Sequence, residues 1–103
     1  MTPEEIQQAI EKLKDLVNTS QNHEAKAFAY ELLENPSIHD DPESLAKVYN
    51  LLGTAYLNLS YYPKALEYYS KALLINEEIG NKEGIAKNLG NIGNVYSKLS
   101  DYP

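Results

Sequence analysis

Between Tyr49 and Leu73 the apolar positions fall three or four apart: Tyr49, Leu52, Tyr56 and Leu59, an interruption at Pro63, then Ala65, Leu66, Tyr69, Ala72 and Leu73. That spacing places them on one side of a 3.6-residue helix, so the stretch predicts two amphipathic helices joined by a short turn. Gly53, Ala65 and Ala72 lie among the bulky residues. Small positions there let two helix backbones approach and accept Tyr56 or Tyr69 as a knob. The predicted unit is an antiparallel αα-hairpin.

The pattern recurs. Shifting the chain by forty residues lays Glu43–Pro63 on Glu83–Pro103, with nine of twenty-one positions identical: Glu83, Ala86, Lys87, Gly93, Tyr96, Leu99, Ser100, Tyr102 and Pro103. Leu45 with Ile85 and Leu52 with Ile92 are conservative pairs. A helical period of this length implies a solenoid in which each hairpin buries its apolar side on its neighbours.

Weaker copies of the pattern precede the hairpin. Thr2-Pro3-Glu4-Glu5 has the form of a capping box with proline in the first turn, opening a helix whose apolar side is Ile6, Ile10, Leu13, Leu16 and Val17. Leu13 stands where Gly53 and Gly93 stand later, so this helix is a degenerate repeat or an amino-terminal cap. A polar turn at residues 18–22 leads to a second helix from His23 to Glu34, and Pro36 stops it. Asn35–Asp41 is predicted as a loop, and Asp41 caps a third helix running to Leu59. A fourth runs from Pro63 to Ile79, closed by Gly80-Asn81 in a left-handed cap. A fifth runs from Lys82 to Leu99.

Leu52-Gly53, Tyr56, Tyr62, Ala65, Tyr69 and Ala72-Leu73 together resemble the tetratricopeptide repeat. The forty-residue spacing, with Gly84-Ile85-Ala86 followed by Asn88–Asn94, resembles the longer repeats of kinesin light chains, Pins-type polarity adaptors and bacterial signalling proteins. The expected fold is therefore all-α: a solenoid of five helices in antiparallel αα-hairpins, about two and a half repeats in one domain. Residues 1–41 form a degenerate hairpin, 42–81 a full repeat and 82–103 the first helix of a truncated one. Pro103 matches Pro63, the first-turn residue of a further helix, so the sequence reads as an array cut at a helix boundary or an engineered fragment.

The resemblance also implies a binding face. In tetratricopeptide arrays the first helix of each hairpin lines a concave groove that holds an extended peptide or a partner helix. The matching polar positions are Lys47, Asn50, Thr54 and Asn58 on the third helix, and Lys87, Asn91, Asn94 and Lys98 on the fifth. An asparagine offers both donor and acceptor and can pair with a peptide backbone whatever its side chains; lysines beside it favour carboxylates. A merely solvated face is the competing explanation for any one of them. Gly90 replaces the lysine that chaperone-binding members carry one turn before Asn94, so the clamp for chaperone tails is incomplete.

Leu89, Ile92 and Tyr96 correspond to Tyr49, Leu52 and Tyr56 but have no following helix to cover them. Each large apolar side chain gains roughly 1.5–3 kcal/mol on full burial, a sizeable part of a domain's total of about 5–15 kcal/mol. Self-association through this helix, as a dimer, is the second functional expectation.

Charge and composition narrow the remaining classes. Fifteen acidic against nine basic residues give a net charge of −6 with no basic cluster, which argues against nucleic acid. The absence of cysteine excludes disulfides and thiolate metal sites and suits a reducing, cytoplasmic compartment. No apolar run reaches membrane-span length, and the acidic start is unlike a signal peptide. His39-Asp40-Asp41 is a poor metal site, since consecutive loop residues rarely converge on one ion and Asp41 already serves as a cap. No catalytic residue, metal or cofactor is expected. The glycines of Asn88–Asn94 mimic part of a nucleotide fingerprint, but mid-helix they suit close packing better. Tyrosines at helical spacing beside small residues, Tyr56, Tyr69 and Tyr96 above all, are expected to pack rather than to form an aromatic cage.

Overall fold

The structure, a computed structural model, describes residues 1–100, so Tyr102 and Pro103, which complete the repeat overlay, lie outside the described residues. It contains α1 (Pro3–Asn18), α2 (Asn22–Leu33), α3 (Pro36–His39), α4 (Pro42–Asn58), α5 (Tyr62–Ile79) and α6 (Lys82–Ser100), with no strand among the described residues. The all-α hairpin solenoid expected from the repeat is what forms, with six helices rather than five among the described residues. The additional one, α3, is a single turn inside the predicted loop. Asn35 accepts a hydrogen bond from the Ser37 amide at 2.9 Å, Pro36 supplies the first-turn dihedral, and Ile38 is fully buried beneath it. One apolar residue has no periodicity, which is why the pattern could not reveal this turn.

The caps explain where the longer helices begin and end. Thr2 and Glu5 form the reciprocal capping box, with the Glu5 amide donating to Thr2 Oγ1 at 3.2 Å and the Thr2 amide to Glu5 Oε1 at 2.9 Å. Asp41 caps α4, accepting from the Ser44 amide at 3.3 Å and the Ser44 hydroxyl at 2.8 Å. Gly80 ends α5 with φ +70°, where a side chain would be strained. Both hairpin turns use a left-handed serine forty residues apart, Ser20 at φ 62° and Ser60 at φ 64°. In each the next residue closes the turn onto the preceding helix, Gln21 to Leu16 O at 2.8 Å and Tyr61 to Tyr56 O at 2.9 Å. The first hairpin thus keeps the repeat's turn even where its side chains have diverged.

Helix α4 is the centre of the molecule: it packs on each of the other five helices, and the molecule extends 47 × 30 × 19 Å around it. Val48, Leu52 and Ala55 on α4 are fully buried with Leu13, Ala25 and Ala29 of the first hairpin and Ala65, Tyr69 and Val95 beyond it. The knob-and-notch fit predicted from the sequence is present at Gly53, where a Cβ would lie 2.7 Å from Tyr69 Cδ1. The first hairpin reverses the sizes: Leu13 and Ala29, the forty-residue equivalents of Gly53 and Tyr69, are both fully buried.

Helix α6 departs from that pattern. Added Cβ atoms at Gly90 and Gly93 would meet nothing within 4 Å, so the close packing expected there is not made among the described residues. Tyr96, expected to pack, is 59% exposed, because among the described residues no helix takes the place on α6 that α5 takes on α4. Leu89 is 54% exposed, and Ile92 is half-buried against the core.

Candidate binding cleft between the first helices of the repeats

α1, α4 and α6, the first helices of successive hairpins, share one side of the molecule. Between them lies a cleft of about 280 Å³. Gln7, Glu11 and Lys14 reach it from α1, Glu43, Lys47 and Asn50 from α4, and Glu83 and Lys87 from α6. Its rim therefore carries three carboxylates and three ammonium groups. Glu43 and Lys47 pair across one helical turn at 3.5 Å, a surface contact of small energetic value that holds the lysine at the edge.

A chain of asparagine amides runs from Asn76 to Asn50, which both line the cleft, through Asn88 behind it. Asn76 Nδ2 donates to Asn88 Oδ1 at 2.6 Å, and Asn88 Nδ2 and Asn91 Nδ2 each donate to Asn50 Oδ1 at 2.9 Å. Asn76 and Asn88 are buried, Asn88 to 1% exposure, and amides in that setting are tolerated only when paired. Among the described residues no buried side-chain nitrogen or oxygen lacks a partner. Gly84 makes the arrangement possible, since a Cβ there would stand 2.6 Å from Asn76 Nδ2.

The eight polar positions singled out by the sequence divide into groups. Lys47, Asn50 and Lys87 line the cleft, and Asn91 is joined to Asn50 beside it. Asn94 and Lys98 are exposed further along α6. Thr54 is engaged inside the hairpin, its hydroxyl 2.8 Å from Tyr69 Oη and donating to Asn50 O at 3.1 Å. Asn58 donates to Asn22 Oδ1 at 3.1 Å, tying α4 to the start of α2. Asn76 and Asn88 were not foreseen as part of this side. The signal was present in the overlay of the two repeats, where buried Val48 becomes Asn88, a change that a plain core position would not tolerate.

A second cluster forms where α2, α4 and α5 meet. Tyr30 Oη lies 2.6 Å from Tyr56 Oη and 2.9 Å from Tyr68 Oη. The Tyr56 and Tyr68 rings stack at 5.8 Å and 3°, and Lys26 and Lys71 sit over the outer rings. Burial pushes the Tyr30, Tyr56 and Tyr69 phenols above their ordinary value, because the phenolate is poorly solvated there. Tyr56 and Tyr68 belong to the buried core and the three hydroxyls bond to one another, so the cluster acts as packing. His39, from the weak metal triplet, has Nε2 2.7 Å from Leu33 O, and Asp41 remains a cap.

No helix among the described residues is long and apolar enough to cross a membrane. Comparison with known proteins agrees with the geometry. A human protein, G-protein-signaling modulator 1, is 38% identical over 63 residues, which is 61% of this chain and 9% of that protein. The uncharacterized protein ycf37 of Guillardia theta is 37% identical over 62 residues, 60% of this chain and 32% of its own length. The chain thus spans under a third of either relative. The crystal structure of the TPR domain of Arabidopsis FLU superposes with a TM-score of 0.83 at 23% identity, covering 95% of this chain and 82% of that one, and shares its fold. The family profile described as tetratricopeptide repeat matches residues 44–103, more than half of the sequence, and with the forty-residue hairpin period it places this chain in the tetratricopeptide repeat family.

Proposed function

We propose that the chain is a non-catalytic protein-interaction module whose cleft between α1, α4 and α6 holds an extended peptide. The observation that carries this reading is the convergence of Lys47, Asn50 and Lys87 on one opening, supported by the amides bonded behind Asn50. Asn91, Asn94 and Lys98 continue the polar stripe along α6 and would engage the rest of a longer ligand. The similarity to a protein named as a G-protein-signaling modulator favours a partner from a signalling assembly. Titration of a panel of extended peptides against the wild type, Lys87→Ala and Asn94→Ala tests the assignment. Affinity falls several-fold in the variants if the cleft is used. Unchanged binding of every peptide retires it.

A second reading is favoured by one separate observation: Leu89 and Tyr96 present bulky apolar surface with Ile92 between them. Two copies pairing through α6 would cover it. Sedimentation equilibrium decides this directly, because a folded monomer at high micromolar concentration is incompatible with pairing of any useful strength.

A further inference from the structure

We infer that Asn81, the residue preceding α6, sets through Asn76 and Asn88 which end of the Asn50 amide faces the cleft, so that the site offers a hydrogen-bond donor to a backbone carbonyl of the bound peptide. The inference deepens the cleft reading above and rests on it. Asn81 Oδ1 accepts the Gly84 amide at 3.1 Å and so caps α6, which turns its NH2 group toward Asn76 Oδ1 at 3.4 Å. Asn76 must then donate to Asn88, and Asn88 to Asn50. With Asn91 donating as well, both lone pairs of Asn50 Oδ1 are used. Asn50 Nδ2 therefore reaches the cleft as a donor, and each bond along the chain polarises the next.

Three departures between the repeats converge on this chain. Ser44, Val48 and Leu51 of the first copy become Gly84, Asn88 and Asn91 of the second. The first change opens room for Asn76, the second supplies the buried relay, and the third supplies the other donor to Asn50. The rim balances three carboxylates against three ammonium groups, so the acceptor it suits is a neutral carbonyl rather than a carboxylate.

The test exploits a substitution that keeps the cap and reverses the relay. In Asn81→Asp the carboxylate still accepts the Gly84 amide but presents oxygen to Asn76, which flips Asn76, Asn88 and Asn50 in turn. Side-chain NH2 signals are followed by 15N NMR while a capped, neutral alanine–serine peptide or sodium acetate is added. In the wild type the Asn50 NH2 should exchange freely with water and shift with the peptide but not with acetate. In Asn81→Asp it should become protected, bonded to Asn88 and Asn91, and peptide affinity should fall about two- to tenfold, the range for one neutral hydrogen bond. Asn88→Val, which installs the residue of the first repeat, should leave the helical spectrum intact and loosen the Asn50 amide. Unchanged Asn50 exchange in Asn81→Asp overturns the relay. A response to acetate in place of the peptide overturns the carbonyl assignment. A peptide that shifts no cleft signal in the wild type counts against the cleft reading itself, and the exchange comparison still decides the relay.

Discussion

Gly53 and Gly93 occupy the same place in successive repeats, and the structure predicts opposite consequences for the same substitution. An alanine at either gains about 1 kcal/mol of helix propensity. At position 53 the new Cβ would stand 2.7, 2.8 and 3.2 Å from three ring atoms of Tyr69, a side chain with no exposure. The ring is held at its far end by the Thr54 hydroxyl at 2.8 Å, so it cannot tilt away without breaking that bond. Overpacking in a core costs about 1–3 kcal/mol, and the lost hydrogen bond about 0.5–1.5 kcal/mol. Gly53→Ala should therefore destabilise by about 0.5–3.5 kcal/mol after the propensity gain is set against these costs. Gly93→Ala meets open space and should stabilise by about 0.5–1 kcal/mol. In a domain of this size each kcal/mol moves the melting temperature by about 4–8 °C, so circular dichroism melts at low micromolar concentration separate the two. Equal shifts, or stabilisation by Gly53→Ala, would refute the claim that α5 and α4 meet by a tyrosine seated on a glycine. Repeating the Gly93→Ala melt at high concentration adds information: if copies pair through α6, its stabilisation should shrink or reverse as the notch becomes filled.

Three further outcomes follow from local chemistry. The melting temperature should be flat to about pH 9 and decline above about pH 10, the ordinary phenol value. The sign follows because burial raises the folded pKa of Tyr30, Tyr56 and Tyr69, so their stabilisation is complete below the unfolded pKa and lost as pH rises through the folded one. Tyr69→Phe keeps the ring on Gly53, removes the Thr54 contact, should cost about 0.5–1.5 kcal/mol in urea denaturation, and should weaken that alkaline decline. Thr2→Ala breaks the capping box at the start of α1 and should cost about 1 kcal/mol, seen as faster amide exchange confined to the first turns of α1.

What could be foreseen depended on whether a feature repeats. The hairpin turns, the caps at Thr2, Asp41 and Gly80, and the seat of Tyr69 on Gly53 each follow from a residue whose conformational or steric property acts within a few positions or recurs after forty. The α3 turn was missed because Ile38 is its one buried apolar residue and shows no periodicity, although Asn35 and Pro36 start it as Asp41 and Pro42 start α4. The relay behind Asn50 was missed for a different reason. Overlaying the repeats directs attention to identities, whereas Asn88, Gly84 and Asn91 matter because they differ from Val48, Ser44 and Leu51. A buried Val-to-Asn change needs hydrogen-bond partners to be tolerated, and only the fold shows that Asn76, on the second helix of the preceding hairpin, supplies the first. In a repeat protein the shared positions build the scaffold, and positions where neighbouring repeats disagree while remaining buried are where a site is to be sought. Here those positions lead from the start of α6 to Asn50, an α4 side chain that accepts hydrogen bonds from Asn88 and Asn91 and lines the cleft.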